Sequence, residues 1–167
     1  MKLIAFDQST TKTGYCVMDY NTGEIVEYGL IKPKGETNDR IRQTIKRCMY
    51  LCTKHEVTFV YIEGIQVQRN PVVFEVLAKL QGTLEICLEE KGYFVNVIKA
   101  SEWRRRSGIK SRKRKEIKEE IIKKVKDLYD IDATEDECEA IMFATAFKKL
   151  VMNKERKSYA QGYKQSR

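Results

Sequence analysis

The chain has 167 residues, 42% of them hydrophobic and only two of them proline, which excludes a disordered chain and fits one domain with a core of ordinary size. No run approaches the roughly 18 apolar residues of a membrane-spanning helix, and the N-terminus lacks a signal-peptide pattern, so a soluble, cytoplasmic protein with no membrane partner is expected. Net charge is +8 but uneven: residues 99–126 hold thirteen Lys/Arg against four Asp/Glu, residues 153–167 hold five against one, and the remaining body is mildly acidic, a layout that suits gripping a polyanion.

Leu3 to Phe6 reads as a short buried strand that ends on Asp7. An acid leaving an apolar strand costs solvation energy unless it is paired; it either meets a divalent cation or caps a turn. Residues 13–19 and 24–32 read as two further strands, joined by the turn Asn21-Thr22-Gly23. Thr37 or Asn38 is placed to cap a helix reaching about Lys54. Within it Ile41, Ile45, Cys48 and Cys52 form one stripe, so Cys48, Cys52 and the nearby His55 read as core residues rather than a zinc cluster. With Cys16, Cys87 and Cys138 they make an odd set suited to a reducing compartment.

Residues 58–63, TFVYIE, are almost wholly apolar, read as a central strand, and again end on a carboxylate, Glu63. Pro71 opens a helix to about Lys91, closed by Gly92, and residues 93–98 form a fifth strand. SEWRRRSGIKSRKRKE follows as a basic loop headed by Trp103, feeding a helix marked by Ile117, Ile121, Val125 and Leu128. The loop can neutralise several phosphates; Trp103 either stacks on an unpaired base or joins the core. Thr134 and Glu137 form a capping box, so Asp136 sits in the first turn of the last helix. Asp136 shares a face with Ala140, Phe143 and Phe147 that must look at the sheet, and Glu139 lies at its edge. The order of elements describes a mixed α/β sheet with helices on its faces. If the first and fourth strands are neighbours, Asp7, Glu63, Asp136 and Glu139 meet at one rim. Four such acids need hard cations, and two metals so held can drive in-line attack on a phosphodiester without a Cys, His or Ser nucleophile.

The ordered set FDQSTTKTG (6–14), YIEGIQ (61–66), the helix 71–91, SEWRRRSGIKSRKRKE (101–116) and DECEAIMFA (136–144) resembles the RuvC-like Holliday junction resolvases of the RNase H-like superfamily, the phage members in particular. The resemblance implies an RNase H-like α/β fold, a five-stranded mixed sheet flanked by helices, over residues 1–152, with 153–167 as a basic tail. It implies a metal-binding catalytic quartet of Asp7, Glu63, Asp136 and Glu139 holding two Mg²⁺ per active site, with Mn²⁺ as a substitute. It further implies paired symmetric nicking of branched DNA by a homodimer with helix 71–91 at its interface, in the cytoplasm of a bacterial host. Arg104, Arg105, Arg106, Lys110, Arg112, Lys113, Arg114 and Lys115 are the expected DNA contacts, the lysines beside the scissile phosphate falling among Lys110, Lys113 and Lys115. The chain departs from the family in having Glu139 where Asp is usual, which leaves Asp132 and Glu135 as alternative ligands. It also has Gln66 where well-studied bacterial members carry a junction-stacking aromatic. Two rival readings are a non-catalytic DNA-binding module and a fragment of an actin-like or sugar-kinase-like ATPase, whose first phosphate loop the Asp7–Gly14 stretch resembles.

Overall fold

A computed structural model describes residues 1–67 and 70–149. The basic tail expected over 153–167 lies outside the described residues. Five strands, β1 (Lys2–Asp7), β2 (Thr13–Asp19), β3 (Ile25–Ile31), β4 (Phe59–Glu63) and β5 (Phe94–Ile98), form one sheet in the order β3-β2-β1-β4-β5. β2 runs antiparallel to both β1 and β3, whereas β1, β4 and β5 are parallel. The helices are α1 (Thr37–His55), α2 (Pro71–Glu89), α3 (Ala100–Arg106), α4 (Arg114–Tyr129) and α5 (Glu135–Thr145). None of the described helices is long and apolar enough to cross a membrane.

The two-residue period of the strands divides the core into two layers. Ile4, Phe6, Val60 and Ile62 face α1 and α2, packing with Cys48, Leu51, Cys52, Leu84 and Leu88. Leu3, Ala5, Phe59 and Tyr61 face the opposite way, toward Trp103, α4 and α5. Asp7 and Glu63 continue this second set, so alternation alone directs both acids to the α5 side of the sheet. Their strands are parallel neighbours, and each acid lies one residue beyond the Phe6–Ile62 pair.

α5 crosses that face closely because Gly14 has no side chain. A Cβ built there would stand 2.5 Å from the carbonyl oxygen of Asp136 and 3.3 Å from the Cβ of Ala140. The Thr134 N–H donates to Glu137 Oε2 at 2.9 Å, completing the capping box. α2 begins at Pro71 with Asn70 Oδ1 accepting from the Val72 N–H, and ends at Glu89 ahead of the left-handed Gly92.

Two local expectations are corrected. α1 is preceded by Glu36 as N-cap, with no side-chain cap from Thr37 or Asn38. The expected basic loop after β5 contains a helix, α3, whose seven residues are too few to show a hydrophobic period. Of the two readings of Trp103 the core one holds: it is 0% exposed. The cysteines are all free, and Cys48 and Cys52 are buried, while His55 Nε2 lies 2.9 Å from Glu27 Oε2.

Candidate active site

β1 and β4 deliver Asp7 and Glu63 to the rim, and the first turns of α5 bring Asp136 and Glu139 onto it. One carboxylate oxygen each from Asp7, Asp136 and Glu139 lies within 4.8 Å of the others. Glu63 borders the same cleft, and one of its oxygens, Oε2, accepts the Trp103 indole N–H at 2.6 Å. Burial pushes the Asp7 carboxyl well above its ordinary pKa, and Glu63, Glu139 and Asp136 push it further by repulsion, with Arg104 opposing. Burial and then Glu63 raise Glu139 as well. Glu63 is raised by burial too, against the stabilising pull of Trp103 and Arg104.

These carboxylates fit hard divalent cations. The donors are all oxygens, they converge, and each buried acid would gain from a nearby positive charge. Asp7 accepts no side-chain hydrogen bond among the described residues that would explain its burial otherwise.

The acids floor a cleft of about 620 Å³. Arg104, Arg112, Arg114 and Lys118 line it, together with Ile65, Val67 and Leu77. Arg104 Nη2 lies 4.0 Å from Glu139 Oε1, and its buried Nε has no hydrogen-bond partner among the described residues. The other expected DNA contacts are placed differently. Arg106 lies over the Phe147 ring at 4.8 Å and pairs with Glu102 at 3.1 Å. Arg105 and Lys110 are exposed, and Lys113 and Lys115 pair along α4 with Glu116 and Glu119. None of Lys110, Lys113 and Lys115 lines this cleft; the cation beside Glu139 is Arg104.

The two alternative ligands are drawn off by lysines. Asp132 Oδ2 pairs with Lys126 at 2.8 Å, with a side chain 86% exposed, and Glu135 pairs with Lys118. Sequence reasoning missed Lys12, whose ammonium sits on Asp136, and Gln8. The Gln8 amide donates to the Glu63 carbonyl at 3.0 Å and to Gln81 Oε1 at 2.9 Å, which also accepts from the Ile65 N–H. This bridge ties the β1 exit to the loop after β4. The signal for Lys12 was weak, since only the fold of the β1–β2 loop brings it to α5.

A five-stranded sheet in this strand order, with helices on both faces and acids gathered at one rim, defines the RNase H-like class. Within that class the family is decided by sequence: the model described as crossover junction endodeoxyribonuclease RuvC matches residues 3–147, and the chain belongs to that family. It is thus a junction-cleaving nuclease, of a family whose members depend on divalent metal. A search of curated proteins finds no match. Among solved structures, Thermus thermophilus RuvC in complex with Holliday junction substrate is similar at a TM-score of 0.73 and 13% identity, over 87% of this chain and 91% of that one. Fowlpox virus resolvase with substrate Holliday junction DNA gives 0.55 and 12%, over 98% and 99%. The yeast mitochondrial resolvase Ydc2 gives 0.51 and 11%, over 96% and 83%. At these identities the likeness carries the fold. The family match displaces the ATPase-fragment and non-catalytic readings.

Proposed function

We propose that the chain is a Mg²⁺-dependent resolvase that cuts four-way DNA junctions by paired symmetric nicks, with Asp7, Glu63, Asp136 and Glu139 as its metal-binding acids. The observation that carries this reading is the meeting of three carboxylates within 4.8 Å, beside Glu63, at the floor of a cleft with a cationic wall. Held by these acids, two Mg²⁺ ions, or Mn²⁺ in their place, would supply a water of lowered pKa and neutralise charge on the leaving oxygen. The chain's own residues do the rest. The acids would hold the cations from two strands and a helix packed into one core, so the spacing of the acids is set by the fold. Arg104, beside Glu139, takes the part of the lysine near the scissile phosphate. Arg112, Arg114 and Lys118 hold flanking phosphates, which positions the strand without reading its bases.

A junction needs two cuts, and a two-fold homodimer supplies two equivalent sites. Helix α2 suits such an interface: it buries Leu80, Leu84 and Leu88 inward while Val72, Val73 and Ile86 stay exposed. Residues 1–152 serve as the single nuclease domain, with 153–167 adding cationic grip, in the cytoplasm of a bacterial cell carrying phage DNA. The structures of the Thermus and fowlpox proteins with Holliday junctions support the substrate assignment. The test is nicking of a panel of four-way, forked, flapped and linear DNAs with and without Mg²⁺, alongside Asp7→Asn and Glu63→Gln. Both variants are expected to bind the four-way junction and leave it uncut. Full cleavage by either would end the assignment, as would equal cutting of linear duplex.

A further inference from the structure

Trp103 is the only tryptophan of the chain, and the fold hides it completely. Its ring packs against Phe143 at 5.6 Å between centroids, and the Arg104 guanidinium lies 5.3 Å from it. A buried indole has one N–H to satisfy and nothing with which to accept. Here that donor goes to Glu63 Oε2 at 2.6 Å, a short, charge-assisted bond. It is the sole hydrogen bond that the Glu63 carboxylate accepts among the described residues. α3, which carries Trp103, is anchored by Ser107 Oγ donating to the Met142 carbonyl of α5 at 3.0 Å. The indole is thus held between the helix that bears Asp136 and Glu139 and the strand that bears Glu63.

We propose that Trp103 is a positioning residue for the metal site: its N–H locks one oxygen of Glu63 so that the other is presented to a cation held with Asp7. The proposal rests on Glu63 being a metal ligand. A glutamate has three rotatable bonds, and a ligand free to turn loses affinity to the entropy of being ordered. Groups that orient metal ligands from behind typically change affinity by about 10–100-fold when removed. Packing alone does not require the N–H, because a phenyl ring would fill most of the same space.

The test is Mn²⁺ binding to the full-length protein, followed by the electron paramagnetic resonance of free Mn²⁺, for wild type, Trp103→Phe and Glu63→Gln. Trp103→Phe keeps an aromatic ring and deletes the donor. It is expected to bind Mn²⁺ about 10–100-fold more weakly, with an unchanged circular dichroism spectrum and cleavage largely rescued by raised Mn²⁺. Wild-type affinity in a folded Trp103→Phe protein overturns the proposal. Should that variant not fold, the wild-type indole reports directly: its emission must change on titration with diamagnetic Mg²⁺, and must not change in Glu63→Gln. An unresponsive emission alongside measured Mn²⁺ binding also overturns the proposal while leaving the metal site standing. A wild-type protein that binds no Mn²⁺ at millimolar concentration, or a Glu63→Gln protein that binds it normally, overturns the metal assignment and this inference with it.

Discussion

Gly14→Ala adds one methyl group at the place where α5 rests on β2. The new Cβ would stand 2.5 Å from the Asp136 carbonyl oxygen, 3.2 Å from its carbonyl carbon and 3.3 Å from Ala140 Cβ. Two of those atoms are helix backbone, so no side-chain rotation relieves the clash. α5 must move outward by about 0.5–1 Å, and overpacking of this kind costs about 1–3 kcal/mol. Alanine returns about 0.4–1 kcal/mol by restricting the unfolded chain. A net loss of up to about 2.6 kcal/mol remains, which a domain stable by about 5–15 kcal/mol survives. On the proposed metal assignment catalysis is hit harder, because Asp136 and Glu139 travel with the helix. A misplacement of about 1 Å at a catalytic group can cost about 100-fold in rate. Urea denaturation should show a lower midpoint at unchanged slope, and single-turnover cleavage per folded molecule should fall about 10–100-fold. A Gly14→Ala enzyme with the wild-type midpoint and the wild-type rate would refute the close approach of helix and strand.

Other expectations concern charge and capping. Burial and mutual repulsion hold the Asp7 and Glu139 carboxyls above their ordinary pKa values. The folded metal-free chain therefore binds more protons than the unfolded one between the unfolded and the raised folded pKa. Its stability should fall as pH rises through that window and stay reduced above it. Asp7→Asn should accordingly raise the melting temperature of metal-free protein at neutral pH, measured by calorimetry; a lower melting temperature would contradict the electrostatic account. Junction affinity should drop steeply with salt, and Arg112→Ala or Arg114→Ala should each reduce the slope of log K against log salt by about one. Lys115→Ala, whose lysine pairs with Glu119 along α4, should change that slope little. Thr134→Ala removes the capping hydroxyl of α5 and should cost about 1 kcal/mol, a shift of about 2–4 °C for a domain of this size.

The main lines of the fold were legible because strand period and helix period are written in local order. Leu3, Ala5 and Asp7 alternate with Ile4 and Phe6, and TFVYIE repeats the device, so two acids at strand exits could be recognised before their strands were known to be neighbours. The capping box at Thr134 likewise marked where the last helix starts, hence which of its acids face inward. α3 was hidden because only Ala100 and Trp103 of its seven residues are buried, too short a record for a helical period. The basic block could be read as cationic, yet not which members face the cleft. Arg104 is turned toward Glu139 and Arg106 toward Phe147 only by the way α3 packs on α5. Lys12 and Gln8 were missed for the same reason: their partners, Asp136, Gln81 and the Glu63 carbonyl, are remote in sequence.

The placement of Asp136 and Glu139 on α5, after every strand and every other described helix, orders events during synthesis. Chains emerge from the ribosome N-terminus first, so Asp7, Glu63 and the cationic stretch between Arg104 and Lys118 are all made before the last two acids. On the proposed assignment, a half-made polypeptide carries the cationic stretch but only two of the four acids that would hold metal. Under that assignment, cutting would wait until the sheet has received its final helix.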